Sequence, residues 1–266
     1  MVTTSALEGF EKTSFSASRQ THDVFRAGSG PAVIVIHEVP GITPLVAAFG
    51  RRVAAAGFSA VLPNLFGTPG EEMTIPYALK SMLHGCVSRE FVMFATGKTS
   101  PVTQYLRALA HHEHARCGGP GVGAVGMCLT GGFALAMSVD DVMLAPVLSQ
   151  PSMPMPLGAS RRRDLGISDA DLAAVKNRAR DGLCVMGLRF TGDKAAPAER
   201  FERLRTELGD NFIGVEIDSS EGNPWGYRTA AHSVLTEDYS DADGSPTRQA
   251  LEDVLAFFGS RLKSTS

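Results

Sequence analysis

Apolar residues recur along this chain in two rhythms. Ala32-Val33-Ile34-Val35-Ile36 is an unbroken, β-branched run, the pattern of a strand buried on both faces of a parallel sheet. Similar short runs fall at residues 58–62, 122–125, 142–148, 183–190 and 212–217. Between them the spacing changes to the three-to-four-residue period of amphipathic helices, at 45–56, 101–116, 131–138, 169–180, 195–208 and 247–262. Punctuation agrees with these bounds. Gly57 stands where the first helix should stop, Ser100-Pro101 where the second should start, and Ser168 where a cap would precede Asp169 and Asp171. Two β-type segments at 13–17 and 22–26 open the chain as a hairpin, closed off by the turn Gly28-Ser29-Gly30-Pro31.

Strand and helix therefore alternate from Ala32 onward, which predicts one α/β domain over residues 1–266: an open, mostly parallel sheet with helices on both faces. The stretch 66–98 is less regular, with helix-like pieces at 77–82 and 91–94. Residues 149–180 begin with a Pro- and Met-rich loop and read as an insertion between two strands, either a surface excursion or a lid over a pocket.

Composition narrows the class of protein. With 44% hydrophobic and 20% charged residues, 266 residues can fill a sizeable core. A net charge of −3 argues against nucleic acid as a partner, because phosphate binding needs clustered cations. Arg161-Arg162-Arg163 is too short for that and reads as a solvated loop. No apolar run has the length of a membrane span, and the N-terminus lacks the pattern of a secretory signal. Cys86, Cys117, Cys128 and Cys184 form no C-x-x-C pair. The expectation is a cytoplasmic protein with free thiols, monomeric or homodimeric. His111-His112-Glu113-His114 has metal-ligand residue types, but on a helix only His111 and His114 share a face, so the run reads as a polar helix end and no metal site is expected.

The chemistry centres on Gly119 to Gly132. Gly121-Val122-Gly123-Ala124-Val125-Gly126 has the letters of a dinucleotide-binding turn. That turn must follow a strand, whereas here the strand lies inside the motif, so no nicotinamide or other cofactor is expected. Gly126-Met127-Cys128-Leu129-Thr130-Gly131-Gly132 fits better. A strand leads into it and a helix leads out, the context in which a nucleophile is exposed on a sharp turn above an α/β-hydrolase sheet. Cys128 is then the nucleophile. An acid and a histidine should follow in that order, each after a strand. Asp193, in Thr191-Gly192-Asp193, and His232, in Ala231-His232-Ser233, meet the requirement. The oxyanion hole should combine the N–H of Leu129 with that of Val39, in the loop after the 32–36 strand. Glu38 in the same loop is directed into the site, where a carboxylate needs a role or a partner.

These segments, with His37-Glu38-Val39-Pro40-Gly41, resemble the dienelactone hydrolase family in order and spacing across nearly the whole chain. The resemblance implies the α/β-hydrolase fold and a Cys128–His232–Asp193 triad, with Glu38 moving to deprotonate the thiol when substrate binds. It implies hydrolysis of a small lactone or ester through a thioester, without a cofactor. The chain departs from the family pattern at Thr130, and at Thr236, where an arginine that clamps a substrate carboxylate is expected. Arg89 is a candidate for the family's other anion-binding arginine, and Arg228 could supply a guanidinium from the His232 loop; with the 149–180 insertion, these departures point to a larger, less acidic lactone or ester. A lyase or isomerase step using Glu38 and His232, or simple ligand binding on the same fold, is the competing reading.

Overall fold

The computed structural model of the protein describes residues 4–74, 76–77, 81, 100–153 and 158–263. The helix-like pieces expected at 77–82 and 91–94, and Arg89, lie wholly or largely outside them. The described elements are β1 (Glu11–Ala17), β2 (Gln20–Ala27), β3 (Ala32–Ile36), α1 (Pro44–Ala55), β4 (Ser59–Pro63), α2 (Pro101–Cys117), β5 (Val122–Met127), α3 (Gly131–Met137), β6 (Met143–Ser149), α4 (Ala159–Arg163), α5 (Asp169–Arg180), β7 (Val185–Phe190), α6 (Ala198–Leu208), β8 (Phe212–Ile217) and α7 (Pro246–Leu262).

The strands form one eight-stranded sheet in the order β1-β2-β4-β3-β5-β6-β7-β8. The β1–β2 and β2–β4 pairs are antiparallel, and β4 to β8 run parallel. The unbroken apolar runs are explained by burial on both faces. In β3, Ala32, Ile34 and Ile36 join one core, while Val33 and Val35 join the other. The first core takes Tyr105, Leu106 and Leu109 of α2, Phe133 of α3, Val175 of α5 and Phe201 of α6. The second takes Val46, Phe49 and Val53 of α1 with Val254 and Phe258 of α7.

Local signals set the ends of the helices. Thr43, Ser100 and Ser168 each accept a bond from a first-turn N–H at their helix, satisfying donors that have no partner within the helix. Three details differ from the sequence pattern. Helix α6 starts at Ala198 rather than 195, because Pro197 holds Ala196 out of helical geometry and the Ala195 N–H turns back to Asp193. The arginine run is a single helical turn, not a loop, and Arg162 pairs with Glu199 of α6 at 2.8 and 3.1 Å. Glu113 is buried rather than part of a polar helix end, bonded by Arg26 at 2.9 Å and by Arg116 at 2.7 Å.

The segment 149–180 contains the crossover helix between β6 and β7. Leu172, Val175 and Ala179 of α5 enter the first core, and Arg178 donates to the carbonyls of Ser138 and Met143 at 2.7 and 2.9 Å. That helix is fastened to the scaffold.

Candidate active site

In a parallel sheet, ligands bind beyond the carboxyl ends of the strands, where the strand order reverses. Here the chain runs from β3 to β4 on one side and then returns to β5 on the other. Glu38 follows β3, Cys128 follows β5, Gln150 follows β6, Asp193 follows β7 and His232 lies beyond β8. Five residues distant in sequence thus meet at one end of the sheet.

The turn after β5 is sharp. Cys128 has φ +55°, in the left-handed region that side chains with a Cβ rarely occupy. A Cβ on Gly126 would lie 2.4 Å from the Thr130 carbonyl oxygen, and one on Gly131 would lie 2.6 Å from the Cα of Pro151. Both positions must therefore be glycine for the turn to close. The other glycines of the apparent dinucleotide fingerprint serve packing. A Cβ on Gly121 would meet the Val142 carbonyl at 2.5 Å, and one on Gly123 the Phe258 ring at 3.0 Å. Thr130 departs from the motif without strain, since its φ of −91° suits any residue.

His232 Nδ1 stands 2.7 Å from Asp193 Oδ2. Asp193 is buried, and its other oxygen accepts from the Ala195 N–H at 2.9 Å. Burial disfavours the imidazolium of His232. The Cys128 sulfur and Asp193 more than offset that, and hold its pKa well above the usual histidine range. Cys128 is half-buried.

Glu38 is buried and held by neutral donors. The Ser233 hydroxyl reaches Oε2 at 2.7 Å, Gln150 Nε2 reaches the same oxygen at 3.2 Å, and the Thr236 hydroxyl bonds Oε1. Thr236, expected near substrate, is therefore buried against Glu38. Arg228 has a side chain 75% exposed and pairs with Asp238 at 3.0 Å. Val39 is half-buried and Leu129 buried, each on its expected loop.

Sequence reasoning missed several supporting residues. Gln150 is fully buried, with φ +37°, and its side-chain oxygen accepts from Val234 N–H at 3.4 Å. It sits within the first residues after a strand, as Glu38, Cys128 and Asp193 do, and that position was the available signal. Asp238 Oδ2 accepts from the N–H groups of His232 and Ser233 at 2.8 and 3.1 Å, fixing the histidine loop. His37 is fully buried and accepts from Leu65 N–H at Nε2 (3.1 Å), so its proton is on Nδ1, which donates to the Glu38 carbonyl at 3.0 Å. Burial lowers its pKa to about 4, against a raising effect of that carbonyl. Arg200 is buried and donates to the carbonyls of Asp164 (2.6 Å), Arg161 (3.1 Å), Ala195 (3.2 Å) and Pro151.

Among the described residues no three His, Cys, Asp or Glu side chains are grouped to hold a metal. His111 instead contacts Asp140 at 3.2 Å, and His114 contacts the Gly119 carbonyl at 3.0 Å. No helix among the described residues is long and apolar enough to cross a membrane.

The strand order, the strained turn after β5 and the Asp–His pair beyond β7 and β8 define an α/β hydrolase. Residues 22–262 match the model of the dienelactone hydrolase family, and the chain belongs to that family. Solved structures agree on the fold. A Klebsiella pneumoniae protein designated a candidate dienelactone hydrolase is 19% identical, with a TM-score of 0.64 over 94% of this chain and 98% of that one. The dienelactone hydrolase of Anabaena variabilis is 15% identical, with a TM-score of 0.61 over 96% and 100%. A dienelactone hydrolase-like promiscuous phosphotriesterase from metagenomic libraries is 14% identical, with a TM-score of 0.61 over 96% and 98%. No protein of curated function matches the chain. The protein is a hydrolase of the ester or lactone type.

Proposed function

We propose that the protein hydrolyses a small lactone or ester with Cys128 as nucleophile, His232 as base and acid, and Asp193 as the partner that orients and charges the imidazole. The observation that carries this reading is the joint geometry of a cysteine at φ +55° on the turn and a histidine 2.7 Å from a buried aspartate, electrostatically coupled to that cysteine. Thiolate is the attacking species, and a paired imidazolium stabilises it.

The steps follow from those positions. His232 takes the thiol proton, and the Cys128 sulfur attacks the substrate carbonyl carbon. The N–H groups of Val39 and Leu129 receive the oxyanion. As the C–O bond breaks, His232 returns the proton to the departing alkoxide and leaves a thioester. Water, deprotonated by His232, then attacks the thioester and releases the acid and Cys128. For a lactone the alkoxide and acid belong to one product. No metal or organic cofactor enters these steps.

Glu38 supports this assignment of the base. Its two oxygens are engaged by Ser233, Gln150 and Thr236, so His232 is the group available to the thiol. With Thr236 turned to Glu38 rather than to a substrate carboxylate, uncharged esters or lactones suit the site better than acidic ones. Arg228 acts on the site through Asp238 and the His232 loop. Any lid function belongs to the part of 149–180 before α5. We place the protein in the cytoplasm, as a monomer or homodimer.

The test is Cys128→Ala, assayed on short aryl esters and enol lactones. Turnover should fall to background, and undiminished turnover would remove Cys128 from the mechanism. Eliminating or isomerising the lactone without taking up water would favour the lyase or isomerase reading.

A further inference from the structure

Strands β3 and β5 lie side by side, with Ile36 opposite Gly126 as their last pair. Beyond that pair the two chains leave the sheet. One becomes the loop carrying Val39, the other the turn carrying Cys128 and Leu129. The two proposed oxyanion donors therefore stand on separate loops, and their spacing depends on whatever ties those loops together past the end of the ladder.

Thr130 is fully buried at that place. Its hydroxyl oxygen accepts from the Met127 N–H at 2.9 Å, directly before the nucleophile. The same oxygen lies 2.9 Å from the Ile36 carbonyl, 3.1 Å from the His37 carbonyl and 2.8 Å from the Met127 carbonyl. One hydroxyl proton serves these three acceptors. The contacts join residues 94 and 93 positions apart in sequence, linking the turn after β5 to the last residue of β3 and the first residue of the Val39 loop. His37, held from its other side by Leu65, passes the constraint on to Glu38 and Val39.

We propose that Thr130 is a positioning residue for the oxyanion hole, its hydroxyl fixing the Val39 loop against the turn that carries Leu129. The inference rests on Cys128 acting as nucleophile. Oxyanion donors act only in the transition state, so their displacement lowers kcat more than it raises KM. Loss of an entire donor costs on the order of 100- to 1000-fold, and a misplacement of about 1 Å costs up to roughly 100-fold.

Thr130→Val keeps the shape and removes the hydroxyl, and Thr130→Ser keeps the hydroxyl. For each, kcat and KM on p-nitrophenyl acetate are measured well below the unfolding midpoint, together with the rate of Cys128 alkylation by iodoacetamide. Alkylation needs the thiolate but forms no oxyanion. Thr130→Val should lose roughly 10- to 100-fold in kcat, with KM and the alkylation rate changed by no more than about threefold. Thr130→Ser should stay within about threefold of the parent in all three. The proposal is overturned if the valine variant keeps its kcat, if kcat and alkylation fall together, or if the serine variant loses kcat. Should the valine variant not fold, the serine variant and Thr130→Ala are read by the same criteria. Failure of iodoacetamide to modify Cys128 in the parent protein would count against the nucleophile assignment, separately from Thr130.

Discussion

His232 Nδ1 and Asp193 Oδ2 are 2.7 Å apart, although 39 residues separate them in the chain. This bond sets which nitrogen of the imidazole faces Cys128. Replacing Asp193 with Asn keeps the shape of the partner but removes its charge and permits the wrong tautomer. Asp193→Asn should lower kcat by roughly 100- to 10,000-fold, with the thermal midpoint close to that of the parent. Steady-state kinetics on an aryl ester, with a parallel melting curve, check both parts.

Glu38 and His232 are rival bases for the thiol, and alkylation separates them. His232→Asn should slow modification of Cys128 by iodoacetamide roughly 10- to 100-fold near pH 7, because the thiolate loses its imidazolium partner. Glu38→Gln should change that rate by no more than about threefold, because Ser233, Gln150 and Thr236 hold the carboxylate. A large drop in the Glu38 variant would make Glu38 the base.

His37 makes stability depend on pH. Its pKa is lowered from 6.5 to about 4 by burial. Below pH 6.5 the unfolded chain takes up a proton that the folded protein refuses until about pH 4. The stabilisation is fully present above 6.5 and is lost as pH falls towards 4, a total of about 3 kcal/mol. Urea unfolding at pH 7.5 and 4.5 should show this loss. His37→Gln, which has no proton to gain, should show a smaller difference between the two pH values.

Arg200 holds three segments together through carbonyl oxygens alone. Pro151, on one of them, is followed by Ser152, whose N–H donates to the Cys128 carbonyl at 2.9 Å. Another carries Ala195, bonded to Asp193. Arg200→Met would leave buried carbonyls without donors and should destabilise the fold by about 2–4 kcal/mol, measured by urea denaturation.

The fold was legible because its signals are local. β-Branched runs, capping residues before prolines and a glycine after a helix each act within a few residues. Cys128 and Asp193 were legible for a related reason, since each falls within three residues of a strand's end, and His232 because it follows them in the loop beyond the last strand. Arg200 was not, because in Ala198–Leu208 it looks like one more charge on an amphipathic helix. The Thr236–Glu38 contact spans 198 residues, and nothing around Thr236 announces it. The same holds for Asp238, which sits in a polar stretch and acts through the backbone of His232. The hairpin turn at Ser18 and Arg19 adopts positive φ at both residues without the glycine or asparagine that usually marks such a turn.

The central claim is that Cys128 becomes covalently acylated. The protein is mixed with a slowly deacylating aryl ester, quenched in acid within seconds, digested and mapped by mass spectrometry. The account predicts the mass of the acyl group on the peptide containing Cys128, absent from the Cys128→Ala variant and gone after prolonged incubation. Steady hydrolysis of the same ester with no acyl mass on Cys128 at any time, or with the acyl group on another residue, would contradict it.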